Sequence, residues 1–374
     1  MRTLVAGFCF AVPFGLVRQM VLDSWKKEKP ALLGGVFAGA GVSLAGNMHY
    51  VVIGKLLPWI REIFHLPKGD YTYWFPNSTR YIGYYPAEND KTIHEFPSYS
   101  FVLGDLHAHV VNLMFVVALI SLVYAMMKHH SSKGALQAEA AGEKNFCKKQ
   151  VAAALTDPYV LVFAFLIGMF HWTNYWDFVI YFVVTGGVVL IANIIRFEGK
   201  VTRILAVTIA QAVEIIAVSY LVILPFTLKF ETMVQGVALA QHHSLWYQLL
   251  ILWGLPVLLT VLLILSVITE KMKGLKHKSL YRLLEAITVP DLFAVIMGLC
   301  AIGLVLIPEL VYVRDIYENG NARANTMFKL TYQAYIMFAL TMGYGIYRLL
   351  AVSRQKVFKI ISGICLFFLI WTVG

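Results

Sequence analysis

The stretch Glu95–His109, EFPSYSFVLGDLHAH, sets two carboxylates and two histidines against the start of a long apolar run. Ionisable side chains are costly in hydrocarbon, so at the threshold of a membrane span they mark a candidate functional site. Pro97 and Gly104 punctuate the approach, as a kinked or re-entrant path requires. Most of the remaining chain reads as the scaffold that holds this stretch at one side of a bilayer.

The 374 residues are 59% hydrophobic and 14% charged, whereas a soluble domain is about a quarter charged. Apolar segments long enough to cross ~30 Å of hydrocarbon recur throughout. The fold class is therefore an all-α integral membrane protein, one polytopic domain over 1–374. About ten transmembrane helices are expected, at 4–22, 31–57, 100–127, 158–177, 178–195, 204–228, 246–269, 291–312, 327–347 and 358–374. Lys and Arg number 31 against 21 Asp and Glu, which in a soluble protein would suggest nucleic acid as a partner. Here the basic residues cluster in alternate short loops, so no nucleic-acid partner is expected and the bilayer is the first partner. The basic set holds Lys26, Lys27 and Lys29; Lys128, Lys133, Lys144, Lys148 and Lys149; Arg196, Lys200 and Arg203; Lys271, Lys273, Lys276, Lys278 and Arg282; and Arg348, Arg354, Lys356 and Lys359. By the positive-inside rule these loops are cytoplasmic. The protein then lies in the cell membrane with its motif residues on the extracytoplasmic side. Cys9, Cys147, Cys300 and Cys365 are scattered without CxxC spacing, which argues against a thiol metal site or a disulfide framework.

This topology brings the loop 58–99, the junction at Asn174–Asp177, Gln241–His243 and the segment Glu309–Lys329 to the outer side. The loop 58–99 is too long for a plain connector and is expected to have structure of its own. Its Trp59, Tyr71, Tyr73, Trp74, Tyr81, Tyr84 and Tyr85 suit either an interfacial aromatic belt or a platform for a sugar ring or lipid head group. The segment 128–157, rich in Ala, Lys and Glu, reads as a cytoplasmic linker, either an exposed helix or a flexible connection.

Asp105, His107 and His109 allow two geometries. In a helix, Asp105 and His109 share a face beside Asn112, and His107 points away. In an extended backbone the three alternate residues point the same way, as a divalent cation would require. A capping role for Asp105, with the histidines hydrogen-bonded at the interface, is the structural alternative. His94 and Glu95 add ionisable groups just upstream. A second cluster, Asp315, Glu318, Arg323, Asn325 and Lys329, runs an acidic turn into the start of a span. Arg323 and Lys329 near a helix start suit a phosphate, or else snorkel at the interface. Asn174 and Asp177 divide two spans with almost no loop; capping suits Asn174, and Asp177 is a candidate for the outer cluster. His242, His243, Asn47 and His49 are lesser candidates. No phosphate loop, HExxH or GxSxG motif is present.

TIHEFPSYSFVLGDLHAHV, preceded by WFPNSTRYIGY and by AGN at 45–47, resembles the uncharacterised YYY-type polytopic membrane proteins. That family's pattern, near TIxEFPFFSFLxGDLHPH, is followed by NxWD and RMNTxFK segments. Here they stand as NYWD at Asn174–Asp177 and RANTMFK at Arg323–Lys329. Ala108 replaces a frequent Pro, and Ala324 replaces Met. The Tyr-rich segment and early spans that open the family are missing, which implies the central and later part of a longer protein.

The resemblance extends distantly to C-type glycosyltransferases and implies an outward-facing enzyme using a polyprenyl-phosphate-linked sugar. Asp105 or Glu95 would act as general base. Arg323, Asn325, Lys329, Asp315, Asn174 and Asp177 would bind substrate, and His107 and His109 would hold a divalent cation or orient the carboxylate. A transporter or flippase for a lipid-linked or anionic substrate, and a membrane metallohydrolase, are the competing readings.

Overall fold

A computed structural model describes residues 1–67, 73–137, 146–231, 236–275, 279–316 and 318–373, with the side chains of 131–137, 146–150, 318 and 319 excepted. Tyr71, Lys144, Lys276 and Lys278 lie outside the described residues, as do the side chains of Lys133, Cys147, Lys148, Lys149 and Glu318. In chain order the helices are α1 (Arg2–Trp25), α2 (Glu28–Ser43), a π-helical turn Tyr50–Leu56 leading into α3 (Leu57–Ile63), a 3₁₀ turn Phe75–Thr79, and α4 (Pro97–Leu103). They continue with α5 (Ala108–Gln137), α6 (Phe146–Leu155), α7 (Pro158–Thr173), α8 (Tyr175–Arg196), α9 (Val201–Thr227), α10 (Trp246–Met272), α11 (Leu280–Ala286) and α12 (Val289–Leu310). The last are α13 (Glu318–Asn321), α14 (Ala324–Tyr347) and α15 (Lys356–Trp371). Two short strands, β1 (Val237–Leu239) and β2 (Val311–Val313), pair antiparallel, with Ala238 opposite Tyr312.

Against the expected ten spans, seven helices among the described residues are long and apolar enough to cross a membrane, and Pro158–Thr173 is a shorter apolar helix. The differences have local causes. The expected span 31–57 stops as a helix at Ser43, because the Ala45–Gly46–Asn47 segment turns its backbone groups to partners elsewhere in the chain. The expected span 100–127 is interrupted at Gly104 and resumes at Ala108. The break expected after Asp177 falls at Asn174, whose extended backbone divides α7 from α8. Within 128–157, α5 runs on to Gln137 and α6 follows from Phe146, so of the two forms allowed by the sequence the described residues take the helical one. Arg348, assigned to a cytoplasmic loop, lies in a π-helical extension of α14, is 1% exposed, and donates to the Ser266 hydroxyl at 2.9 Å.

The chain divides into two compact units: Met1–Asp105 with Thr232–Ser266 and Met297–Gly374, and Leu106–Glu231 with Val267–Ile296. In the first unit α14 is the central helix, with nearly every residue from Leu330 to Ile346 buried. Helices approach closely where side chains vanish, the means by which spans associate in lipid. An added Cβ at Gly35 would lie 2.7 Å from the Phe14 carbonyl, and one at Gly39 2.8 Å from that of Phe10. These glycines, four residues apart on α2, set α1 against α2. On the α14 side, a Cβ at Gly343 would lie 2.8 Å from the Ala38 Cβ.

The carbonyl of Ala45, just past α2, ties three segments together. It accepts from the Ser98 hydroxyl at 2.7 Å and from the Tyr335 hydroxyl at 2.5 Å. Phe96 stacks on Tyr335, with ring centroids 5.5 Å apart, and the Tyr332 hydroxyl meets Ser100 Oγ at 3.1 Å. The FPSYS run is thus bolted to α14 by aromatic packing and hydroxyls. In the second unit, α7 opens on Asp157, whose side chain accepts from the Tyr159 amide at 2.9 Å, with Pro158 pre-set for the first turn. Asn193 of α8 donates to Gln211 and Thr208 of α9, each at 2.9 Å.

Replacing Gly343 with Leu is expected to cost about 1–3 kcal/mol through overpacking against Ala38. Gly303, which has nothing within 4 Å of an added Cβ, should accept Leu without loss. Thermal unfolding of the two variants in nanodiscs checks this; equal melting temperatures would refute the close α2–α14 approach.

Candidate functional site

The turn that presents Asp105 follows from glycine chemistry. α4 ends at Gly104 with φ +67°, a left-handed conformation that favours residues lacking a Cβ. The Asp105 amide then donates to the Ser100 carbonyl at 2.9 Å, closing the helix end. A Cβ at Gly104 would sit 2.5 Å from an Arg2 guanidinium nitrogen, so the α1 terminus packs against this turn. Residues 105–107 are non-helical, and α5 starts at Ala108, with the His107 carbonyl accepting from the Val110 amide at 2.9 Å. The helical geometry that the sequence allowed for Asp105 and His109 is therefore not the one observed.

Glu95 and Asp105 place carboxylate oxygens within 4.8 Å of each other. Like charges this close repel, so positive charge nearby stabilises them. Arg80 supplies some: its Nη2 lies 2.8 Å from Glu95 Oε1, while its Nη1 donates to the Thr79 carbonyl and hydroxyl. In the second unit, His109 of the first α5 turn is 5% exposed, whereas His107 is exposed, and their rings stack with centroids 5.9 Å apart.

Arg323 is 1% exposed and is held by two carboxylates. Its Nε donates to Asp90 Oδ2 and its Nη1 lies 2.9 Å from Glu309 Oε2. Its backbone N–H also donates to Asp90 Oδ1 at 3.2 Å. Glu309 in turn accepts from the Ser244 amide at 2.8 Å and the Ser244 hydroxyl at 2.6 Å. One guanidinium between two carboxylates carries a net negative charge, which repels an anion. The phosphate role expected for Arg323 is therefore replaced by a buried clasp joining the 73–96 segment, the end of α12 and the start of α14. Asp90, Glu309, Ser244 and Arg80 escaped the sequence reading. The available signal was opposite charge: Arg80 and Asp90 in an aromatic loop, and Glu309 closing an apolar span.

Asn325 donates to Asp315 at 2.6 Å, so these two expected site residues bond each other. Lys329 lies one turn before Tyr332, on the same face of α14 as the contact with Ser100, and its ammonium sits 4.7 Å from the Phe328 ring centroid. In the second unit Asp177 is fully buried and accepts from the Asn112 amide at 2.6 Å, while Thr173 donates to the other end of that amide at 2.9 Å. Asp177 therefore joins α8 to α5 and α7 rather than lining an open surface. Asn174 makes no side-chain cap, contrary to the capping expected of it.

Two cavities of the first unit meet. A narrow slot of about 90 Å³ runs among apolar side chains including Phe37, Trp253, Phe338 and Leu366. It shares Gly46, Asn47, Thr372 and Val373 with a cleft of about 360 Å³ bordered by Tyr50, Tyr73, Phe75, Phe96 and Ser98. The cleft thus abuts the residue next to Glu95. The slot is smaller than the ~300–1,000 Å³ of sites that enclose a compact ligand, and the cleft falls within that range. What fits the pair is a thin apolar tail with a larger, partly polar head.

His94 and His49 are fully buried beneath this region. Burial, reinforced by the neighbouring His49 and Arg80 charges, holds the His94 imidazole well below its ordinary value. Burial alone lowers His49 to about 4, and its ring packs edge-on against Tyr81 at 4.6 Å.

Apolar spans, a polar constellation at helix ends and an amphipathic cavity define a multi-pass helical membrane protein. The chain belongs to the family described as Uncharacterized membrane protein (DUF2298), matched over residues 2–290 and 281–338. No curated protein and no solved structure matches it.

Two outcomes test the site's construction. Arg323→Met leaves Asp90 and Glu309 as buried, uncompensated carboxylates and is expected to cost about 3–5 kcal/mol; a melting temperature like that of wild type would refute the clasp. His94 stays neutral in the fold, whereas in the unfolded chain it takes a proton near pH 6.5. The unfolded state thus binds more protons at low pH, and stability falls as pH drops below about 6.5. His94→Leu should flatten that acid limb by up to about 1.4 kcal/mol per pH unit, read from melting curves across pH; an unchanged slope would count against a neutral, buried His94.

Proposed function

We propose that this protein is a membrane sugar transferase that takes a sugar from a polyprenyl-phosphate donor and passes it to an acceptor on the extracytoplasmic side. The observation that carries the reading is the apolar slot that meets an aromatic cleft walled by Phe96, the neighbour of Glu95. A lipid-linked donor has the matching form: a thin hydrocarbon tail, a polar head and a bond to be broken where the two meet. The concentration of basic residues in alternate loops supports the extracytoplasmic placement.

In this mechanism Asp105 accepts the proton of the acceptor hydroxyl as its oxygen attacks the anomeric carbon. The bond from that carbon to the phosphate oxygen breaks, and the lipid phosphate leaves with the electron pair. Lys329 offers positive charge to that leaving group in the role first assigned jointly to it and Arg323. Glu95, steadied by Arg80, and Asp105 form a hard oxygen pair suited to a divalent cation that would supply further charge to the phosphate. Asp315 and Asn325, bonded to each other, are proposed to border the acceptor.

Asp105→Asn at the chromosomal locus should lower transfer about 10²–10⁴-fold. The expected phenotype is accumulation of a polyprenyl-phosphate sugar and loss of a surface glycan. Unchanged lipid and glycan profiles, with the variant inserted at wild-type level, would overturn the transferase. Metal analysis of the purified protein provides a second reading: stoichiometric divalent cation, lost in Glu95→Gln.

A further inference from the structure

A second cleft of about 510 Å³ lies in the first unit, lined by Asn89, Asp90, Gln241, His242, Tyr312, Gly320, Ala322 and Arg323. It belongs to neither the slot nor the aromatic cleft, with which it shares no lining residue. Its volume falls in the ~300–1,000 Å³ range of ligand sites, and its chemistry is selective.

The two charged groups in its wall are already spent on each other. Asp90 and Arg323 form an ion pair with both side chains 2% exposed, and Glu309 takes a second arm of the guanidinium. An anion would meet a negative triad, and a cation would compete with Arg323 for a carboxylate that solvent barely reaches. The accessible groups are hydrogen-bonding ones: the exposed amides of Asn89 and Gln241 and the exposed His242 imidazole. Tyr312, on β2 opposite Ala238, adds a half-buried ring and phenol. The frame is firm, because the Lys91 amide donates to the Gly320 carbonyl at 3.0 Å and β1–β2 braces Tyr312. His243, beside His242, is anchored through its Nδ1 to the Glu309 carbonyl at 2.9 Å.

We propose that this cleft binds an uncharged saccharide. Planar amides and an imidazole match hydroxyls that both donate and accept, and an aromatic ring suits the apolar face of a pyranose. The site stands apart from the transfer chemistry, and its occupancy requires neither a donor nor a cation.

Saturation-transfer NMR on the full chain in nanodiscs, with a panel of neutral methyl glycosides as probes and inorganic phosphate as competitor, tests it. The expected result is transfer to at least one glycoside, undiminished by phosphate. Gln241→Ala and Tyr312→Ala should weaken that binding roughly five- to tenfold each, the effect of losing one hydrogen-bonding group or its packing. Both variants should melt as wild type does, since neither residue belongs to the clasp. No transfer to any glycoside, displacement by phosphate, or binding indifferent to both substitutions would each overturn the proposal. A transferase-dead Asp105→Asn protein should bind the glycoside normally, which separates this site from the transfer reaction.

Discussion

Burying a guanidinium is costly unless acceptors, carboxylates above all, surround it, and Arg323 shows what that constraint organises. Its partners come from three places: Asp90 in the long loop, Glu309 at the end of α12, and, through Glu309, Ser244 before α10. Loops between spans would otherwise be free to move in water. The clasp ties them into one platform, and further bonds, from Gln248 to the Tyr85 carbonyl and from Lys91 to that of Gly320, run between the same segments. A buried charge cluster is a poor source of net stability, since desolvation offsets most of its attraction. What it does is fix register: Asp90 and Glu309 can both reach Arg323 in this arrangement of the loops.

A second constraint works at the membrane threshold. α2 leaves the Ala45 carbonyl beyond its last turn, and a carbonyl near hydrocarbon demands donors. Ser98 and Tyr335 supply them, which holds α4 against α14 and places Glu95 and Gly104 at the two ends of a fixed seven-residue helix. Gly104 then turns the chain sharply enough to bring Asp105 back toward Glu95. The carboxylate pair therefore follows from backbone accounting as much as from the acids themselves.

The cavities reflect the same economy. Glycine contacts pull α1, α2 and α14 together, and the slot and cleft meet at Gly46 and Asn47, just past the end of α2. The interrupted helix thus places the hydrogen-bonding demand beside the opening.

Much of the architecture was legible in the chain. Long apolar runs announce membrane helices, because hydrocarbon admits few alternatives, and EFPSYSFVLGDLHAH stood out because acids and histidines seldom border such runs without a role. The positions of Pro97 and Gly104 also announced a broken entry. Sequence alone did not reveal the helix end at Ser43 inside an apolar stretch, since beyond it Ala45 finds Ser98 and Tyr335 far along the chain. Nor did it reveal the fate of charges. Arg323 looked like an anion receptor because its partners, Asp90 and Glu309, lie 233 and 14 residues away. Hydropathy is a local property that the sequence determined by itself; the pairing of buried charges is a property of three-dimensional proximity, and only the tertiary structure decided it.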